Sequence, residues 1–165
     1  MESNNSHLPT DSVAGGGGKE DVAVLNTLIA TLLDSVDGYQ KSAEHLESET
    51  YRSLFLERAR ERQTVVRKLQ AAVAQLGGTP EDASSTLGTL HRVFVDLKAV
   101  VTGRDDKAII SEVERGEDYL KGKFEAAMNK ADLSLSTRMA VDEAWMSVRE
   151  GHDQMRNLKH GIQGR

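Results

Sequence analysis

The stretch LNTLIATLLDSVDGYQKSAEHL, residues 25–46, decides the fold of this chain. Its apolar side chains recur at steps of three and four residues, which places them on one face of a helix. The resulting seam consists of Leu25, Ile29, Leu32, Val36, Tyr39, Ala43 and Leu46. Tyr39 is the polar residue that interrupts it, and its side chain is expected to point toward the protein core.

Three further stretches repeat this pattern, and each contains one inward polar residue. The second seam is Phe55, Ala59, Arg62, Val66, Leu69, Val73 and Leu76, the third is Ile110, Val113, Glu117, Leu120, Phe124 and Ala127, and the fourth is Val141, Trp145, Val148, His152 and Met155. Four amphipathic helices can bury these seams by closing around one core. The sequence therefore predicts an all-α four-helix bundle with Tyr39, Arg62, Glu117 and His152 pointing inward.

Turn and capping residues place the helix ends. The predicted helices cover residues 21–46, 50–76, 106–129 and 134–160, with a shorter amphipathic helix at residues 84–101 in the connection between the second and the third. Asp21 is expected to cap the first helix, and Gly77 with Gly78 to end the second. The long, partly helical connection can return the chain along the bundle, so that the second and third helices run parallel. This is the crossover topology of ferritin-like bundles.

Composition sets the domain organisation and the broad class. The chain has 165 residues, a formal charge of −5 and no cysteine. Residues 1–20 are polar and Gly-rich and are expected to be a disordered tail, which leaves residues 21–165 for one bundle domain. The sequence shows neither a signal peptide nor a membrane span, which predicts a cytoplasmic protein. Its negative charge argues against nucleic-acid binding.

Carboxylates and a histidine on the third and fourth helices form the first group of candidate metal ligands. Glu117 lies between apolar seam positions, where a carboxylate must be paired or coordinated. Glu114 lies one turn earlier, at about the level of His152 on the neighbouring helix. A metal ligand is one interpretation of His152, and a buried neutral histidine is the other. Glu117 can alternatively pair with Lys121 on the helix surface.

The second group of candidate ligands lies on the second helix. Glu57 and Glu61 share one side of that helix at a spacing of four residues, where like charges repel unless a cation lies between them. Arg58 and Arg62 can supply that charge, so salt bridging is favoured there over metal binding. The full set of candidate ligands for an iron, manganese or zinc ion is Glu57, Glu61, Glu114, Glu117 and His152.

The histidine spacing argues against a standard dinuclear carboxylate centre. Such centres in ferritin-like proteins use Glu-x-x-His on two helices. No histidine of this chain is preceded three residues earlier by glutamate. The sequence also contains no recognisable nucleophile signature, so no catalytic residue is assigned.

Several segments resemble one known family. They are GTLHRVFVDLK at residues 88–98, GRDDKAI at 103–109, EVERGED at 112–118, FLERARER at 55–62, LGG at 76–78, and His152 in the fourth helix. Together they resemble a bacterial family of ferritin-like four-helix-bundle proteins without assigned function, over about residues 25–158. The resemblance implies that fold and a bacterial, cytosolic protein, and it transfers no site residues. Phe94 stands where the family usually has Trp.

Three functional hypotheses follow. The first is a non-enzymatic bundle, stress-associated or scaffolding, that forms a homo-oligomer or binds another protein and uses its buried polar residues to specify helix packing. The alternative is a divergent metal-binding bundle with storage or redox activity. A third hypothesis is a small-ligand site between the helices, lined by Tyr39 and Trp145.

Overall fold

The computed structural model describes residues 17–83 and 105–163, which form four long helices. They are α1 (Gly17–His45), α2 (Glu49–Gln75), α3 (Asp106–Met128) and α4 (Leu135–Gln163). No strand occurs in the described residues, and within these ranges no helix is long and apolar enough to cross a bilayer. The predicted helix at residues 84–101 and residues 1–16 of the predicted tail lie outside the described residues.

Contacts at the two ends of the bundle give the helix directions. The start of α1 meets the start of α4, where the Ser134 backbone N–H donates to Asp21. The other end of α1 meets the start of α3, where Asp106 accepts from the backbone N–H groups of Glu47 and Ser48. Since short α1–α2 and α3–α4 links make both pairs antiparallel, α2 and α3 run parallel. This confirms the predicted parallel orientation of α2 and α3.

Capping groups explain where α2 begins and ends. The Ser48 hydroxyl accepts from the Tyr51 backbone N–H at 3.3 Å, which satisfies one of the free donors of the first turn. At the other end Gly77 has a φ of +78°. The Gly78 N–H then reaches the Val73 carbonyl at 3.0 Å, a Schellman closure that confirms the predicted helix end.

The role predicted for Asp21 was wrong. Because α1 already begins at Gly17, Asp21 lies in its second turn and does not cap it. Its carboxylate is buried and accepts hydrogen bonds from the Ser134 backbone N–H at 3.2 Å and the Thr137 hydroxyl at 3.0 Å. Asp21 thereby places a negative charge at the positive end of the α4 dipole and ties the two helices together.

The four predicted seams form the core. Nearly all their apolar members are buried, while Leu76 and Trp145 are half-buried. The four inward polar residues are buried as predicted: the exposed fraction is 2% for Tyr39, 0% for Arg62, 2% for Glu117 and 4% for His152. Such burial requires each to be paired, because an unpaired polar group in the core costs several kcal/mol, on the order of 2–7.

Candidate functional site

A charged network from three helices fills the centre of the bundle. Arg62 on α2 donates to Glu117 Oε2 on α3 at 2.7 Å, and Tyr39 on α1 donates its hydroxyl proton to Glu117 Oε1 at 2.7 Å. A second guanidinium N–H of Arg62 donates to the Ser35 hydroxyl at 3.0 Å. Both carboxylate oxygens of Glu117 are therefore engaged by protein donors.

Aromatic contacts hold the same network in place. The guanidinium carbon of Arg62 lies 5.9 Å from the centre of the Tyr39 ring, within the range of a cation–π contact. The Phe55 ring meets Tyr39 edge to face, with 5.2 Å between the ring centres. The network is thus enclosed by apolar groups that exclude water, which strengthens its charge interactions.

The fourth helix contributes to this centre through Gly151. A Cβ atom built on Gly151 would lie 2.3 Å from Nη2 of Arg62 and 3.3 Å from Cδ of Arg58. Real Cβ atoms do not approach other atoms to 2.3 Å, so the bare backbone of α4 is what makes room for the guanidinium. All four helices therefore meet at the Arg62–Glu117 pair.

Burial and charge fix the protonation states in the network. Burial raises the pKa of the Tyr39 hydroxyl well above its ordinary value, and the Glu117 carboxylate raises it further. Burial, the largest single effect, would lower the pKa of Arg62, but the Glu117 carboxylate together with Tyr39 and Glu61 outweighs it and the net shift is upward. Tyr39 therefore stays a neutral donor and Arg62 a cation.

Replacing Tyr39 with phenylalanine is expected to change the response of stability to alkaline pH. Above pH 10.0, the ordinary tyrosine pKa, the unfolded chain releases a proton that the folded chain retains. Stability contributed by Tyr39 is therefore complete below that pH and is lost as pH rises toward the folded pKa, by about 1.4 kcal/mol per pH unit. Urea unfolding at pH 9–11 should show a shallower decline in Tyr39→Phe.

The matched control is Tyr119→Phe, because Tyr119 is only half-buried and its ring lies near the Lys123 ammonium. At neutral pH, Tyr39→Phe is also expected to cost about 1–3 kcal/mol, since Glu117 Oε1 loses its buried donor. Equal alkaline slopes in both variants and the wild type would contradict this assignment.

A second polar group lies between α3 and α4, at the edge of the bundle. His152 Nε2 is 2.6 Å from Asp118 Oδ1. Glu114, one turn before Asp118 on α3, completes the group. One possible metal-ligand atom from each of these three side chains lies within 4.8 Å of the other two. His152 and Glu114 are 4% and 9% exposed, whereas Asp118 faces solvent, with 57% of its side chain exposed. The cluster is therefore anchored in the core and open on one side.

Two neighbours complete the surroundings of this Glu114–Asp118–His152 cluster. Asp153 Oδ1 lies 3.4 Å from His152 Nδ1, on the far side of the imidazole from Asp118. The Lys159 ammonium donates to Glu114 Oε2 at 3.2 Å. The imidazole is thus flanked by carboxylates on both nitrogens, and the lysine neutralises the third carboxylate, that of Glu114.

The structure divides the five predicted metal ligands among separate places. Glu114 and His152 share the edge cluster, while Glu117 belongs to the central ion pair. Glu57 is exposed. Glu61 pairs with Arg58 and accepts from the Ser147 hydroxyl at 2.6 Å. This confirms salt bridging between Glu61 and Arg58, whereas Arg62 pairs with Glu117 instead.

Asp118 is the member of the cluster that the sequence reasoning missed. It follows Glu117 directly, so it lies about 100° further around α3 and outside the apolar seam. The available signal was its spacing of four residues from Glu114, which puts both carboxylates on one side of the helix. The apolar periodicity does not carry that signal, because it marks only the inward face.

The comparisons with known proteins add a family and no activity. No curated protein matches the chain. The profile described as a domain of unknown function, DUF2383, matches residues 20–130. That range takes in the central pair and the α3 half of the edge cluster, and it ends before His152. Since the match spans more than half of the 165 residues, the chain belongs to the DUF2383 family.

Proposed function

We propose that this protein is a non-enzymatic four-helix bundle that binds one divalent transition-metal ion at the Glu114–Asp118–His152 cluster. The observation that carries the proposal is the convergence of one imidazole nitrogen and two carboxylate oxygens within 4.8 Å. Ligands about 2.1 Å from the same ion lie no more than about 4.2 Å apart. The 4.8 Å limit for the three ligand atoms is close to that value, and the exposure of Asp118 allows its side chain to adjust.

The donor set indicates the class of ion. Imidazole nitrogen suits zinc, iron and other transition metals, while carboxylates suit harder ions, so the mixture favours Zn²⁺, Fe²⁺ or Mn²⁺ over Ca²⁺. The arrangement around His152 supports the same conclusion. Without an ion, the 2.6 Å contact with Asp118 requires a proton on Nε2. Metal binding at Nε2 would replace that proton, and a proton on Nδ1 facing Asp153 would then orient the ring, as in carboxylate–histidine metal sites.

The centre of the bundle supports a binding role without dinuclear redox chemistry. Di-metal carboxylate bundles bring their glutamates to one central site. Here Glu117 uses one oxygen for Arg62 and the other for Tyr39. The cation at the centre is therefore a guanidinium. This favours a metal-binding role over an oxidase. The resemblance to a bacterial family supports the bacterial cytoplasm as the location of that role.

Calorimetric titration of the whole chain with Zn²⁺, Mn²⁺ and anaerobic Fe²⁺ tests the proposal. The wild type is expected to bind one ion, and His152→Gln to weaken binding on the order of 100-fold, because it removes the nitrogen ligand. His160→Gln is the matched control, since His160 is exposed on the same helix. Glu117→Gln should alter stability and leave metal affinity unchanged.

Two results would overturn the proposal. One is the absence of stoichiometric binding by the wild type with all three ions. The other is equal affinity of His152→Gln and His160→Gln, which would place any bound ion away from the cluster.

Protein interaction is a second candidate function, favoured by the outer face of α4. Leu135, Met139 and Met146 are 74%, 63% and 71% exposed. Their spacing of four and seven residues places them in one stripe. Asp142 and Arg149 flank Met146 on one side of that stripe. In an antiparallel pairing of two α4 helices about Met146, Asp142 of each copy faces Arg149 of the other, so we propose a second copy of the chain as the partner.

Sedimentation velocity over a range of protein concentrations tests this candidate. A concentration-dependent dimer that dissociates in Met146→Glu would support it, because two carboxylates would then face each other at the centre of the contact. A monomer at all concentrations, or a dimer unaffected by Met146→Glu, would exclude pairing through this stripe.

A further inference from the structure

We propose that Lys159 is a built-in competitor for the metal ion and sets the affinity of the Glu114–Asp118–His152 cluster. This inference rests on the proposed metal-binding function. The Lys159 ammonium lies 3.2 Å from Glu114 Oε2, across the interface between α4 and α3. The ammonium forms an ion pair with the Glu114 carboxylate, which is one of the ligands that an incoming metal ion would need.

The burial of Glu114 explains why a competing cation is needed. The Glu114 side chain is only 11% exposed, and a buried carboxylate without a counter-charge is strongly destabilising. Without metal, Lys159 supplies that charge. The carboxylates of Asp118 and Asp153 gain no comparable benefit from it, because 57% and 55% of their side chains are exposed to water.

The exposure of Lys159 allows the exchange. Its side chain is 28% exposed, and lysine can move its ammonium into water while its methylene groups stay packed against the protein. Repulsion between a divalent ion and the ammonium favours this movement once the ion reaches Glu114. On this proposal Glu114 is neutralised either by Lys159 or by the metal, so that metal binding displaces the lysine.

Replacing the ammonium with an uncharged chain should shift two quantities in opposite directions. Lys159→Met is expected to tighten Zn²⁺ binding about tenfold, because the ion no longer displaces a competitor. The same variant should unfold at a lower urea concentration without metal, since Glu114 loses its counter-charge. Lys159→Arg keeps the positive charge and should resemble the wild type in both measurements.

The matched control is Arg156→Met, which removes one positive charge from an exposed position on α4 and should leave Zn²⁺ affinity unchanged. If the wild type binds Zn²⁺ through His152 and Lys159→Met binds it equally or more weakly than the wild type, this inference alone is overturned. Equal tightening in Arg156→Met would also overturn it, because net charge would then explain the effect. If neither the wild type nor any variant, including Lys159→Met, binds Zn²⁺, the metal-binding function and this inference are overturned together.

Discussion

Arg62→Met is expected to lower the free energy of unfolding by about 3–5 kcal/mol, because it leaves the Glu117 carboxylate buried without its counter-charge. Glu117 is 2% exposed and its ion pair with Arg62 spans 2.7 Å. Methionine is similar in length and unbranched, so the loss reflects charge more than volume. Urea denaturation at neutral pH, followed by circular dichroism, measures the change.

The double variant Arg62→Met/Glu117→Gln separates the charge effect from packing. It removes both charges and keeps a side-chain carbonyl that can accept from the Tyr39 hydroxyl, so it should recover a large part of the lost stability. Arg60→Met is the surface control, because Arg60 is exposed on the same helix, and it should change stability by no more than about 0.5 kcal/mol. A loss in Arg62→Met as small as that in Arg60→Met would contradict the central ion pair.

Gly151→Ala is expected to destabilise the protein by about 1–3 kcal/mol, although alanine is a better helix former than glycine. The added methyl group would lie 2.3 Å from Nη2 of Arg62. The guanidinium would have to move, and its bond with Glu117 would lengthen or break. Thermal and urea unfolding both report the change.

Gly122→Ala is the matched control for this substitution. Gly122 is exposed within α3, and a Cβ atom added to it would meet nothing within 4 Å, so alanine should stabilise the protein by up to about 1 kcal/mol. In a double-mutant cycle, Gly151→Ala and Arg62→Met should be non-additive, because both act on the same guanidinium. Stabilisation by Gly151→Ala equal to that by Gly122→Ala would show that the guanidinium does not need this space.

The fold was predictable because each helix carries a complete seam of its own. Periodicity alone identified the inward faces, including the unexpected polar members Arg62 and Glu117. The start of α1 was harder, because glycine and lysine at residues 17–19 resemble a flexible tail. The pattern therefore predicts Asp21 as the first residue of the helix. Its actual partners, Ser134 and Thr137, are more than a hundred residues away in sequence, and only the folded bundle brings them together.

The site was predictable only in part, because partners on different helices depend on a register that one sequence does not give. Counting residues from the α3–α4 turn correctly placed Glu114 near His152. It did not show that Asp118 is the second carboxylate beside His152, while Glu117, predicted to point inward, has its partners at the centre of the bundle. Similarly, Arg62 was expected to neutralise the glutamates of its own helix, whereas the fold pairs it with Glu117. Local charge spacing cannot reveal such a distant partner.

Anomalous X-ray diffraction from crystals grown with Zn²⁺ is the sharpest test of metal binding at the edge cluster. We expect one strong zinc peak between α3 and α4, about 2.0–2.2 Å from His152 Nε2 and from carboxylate oxygens of Glu114 and Asp118, with the Lys159 ammonium moved away from Glu114. The absence of a zinc peak at this cluster, or a peak only at exposed histidines such as His160, would contradict metal binding there.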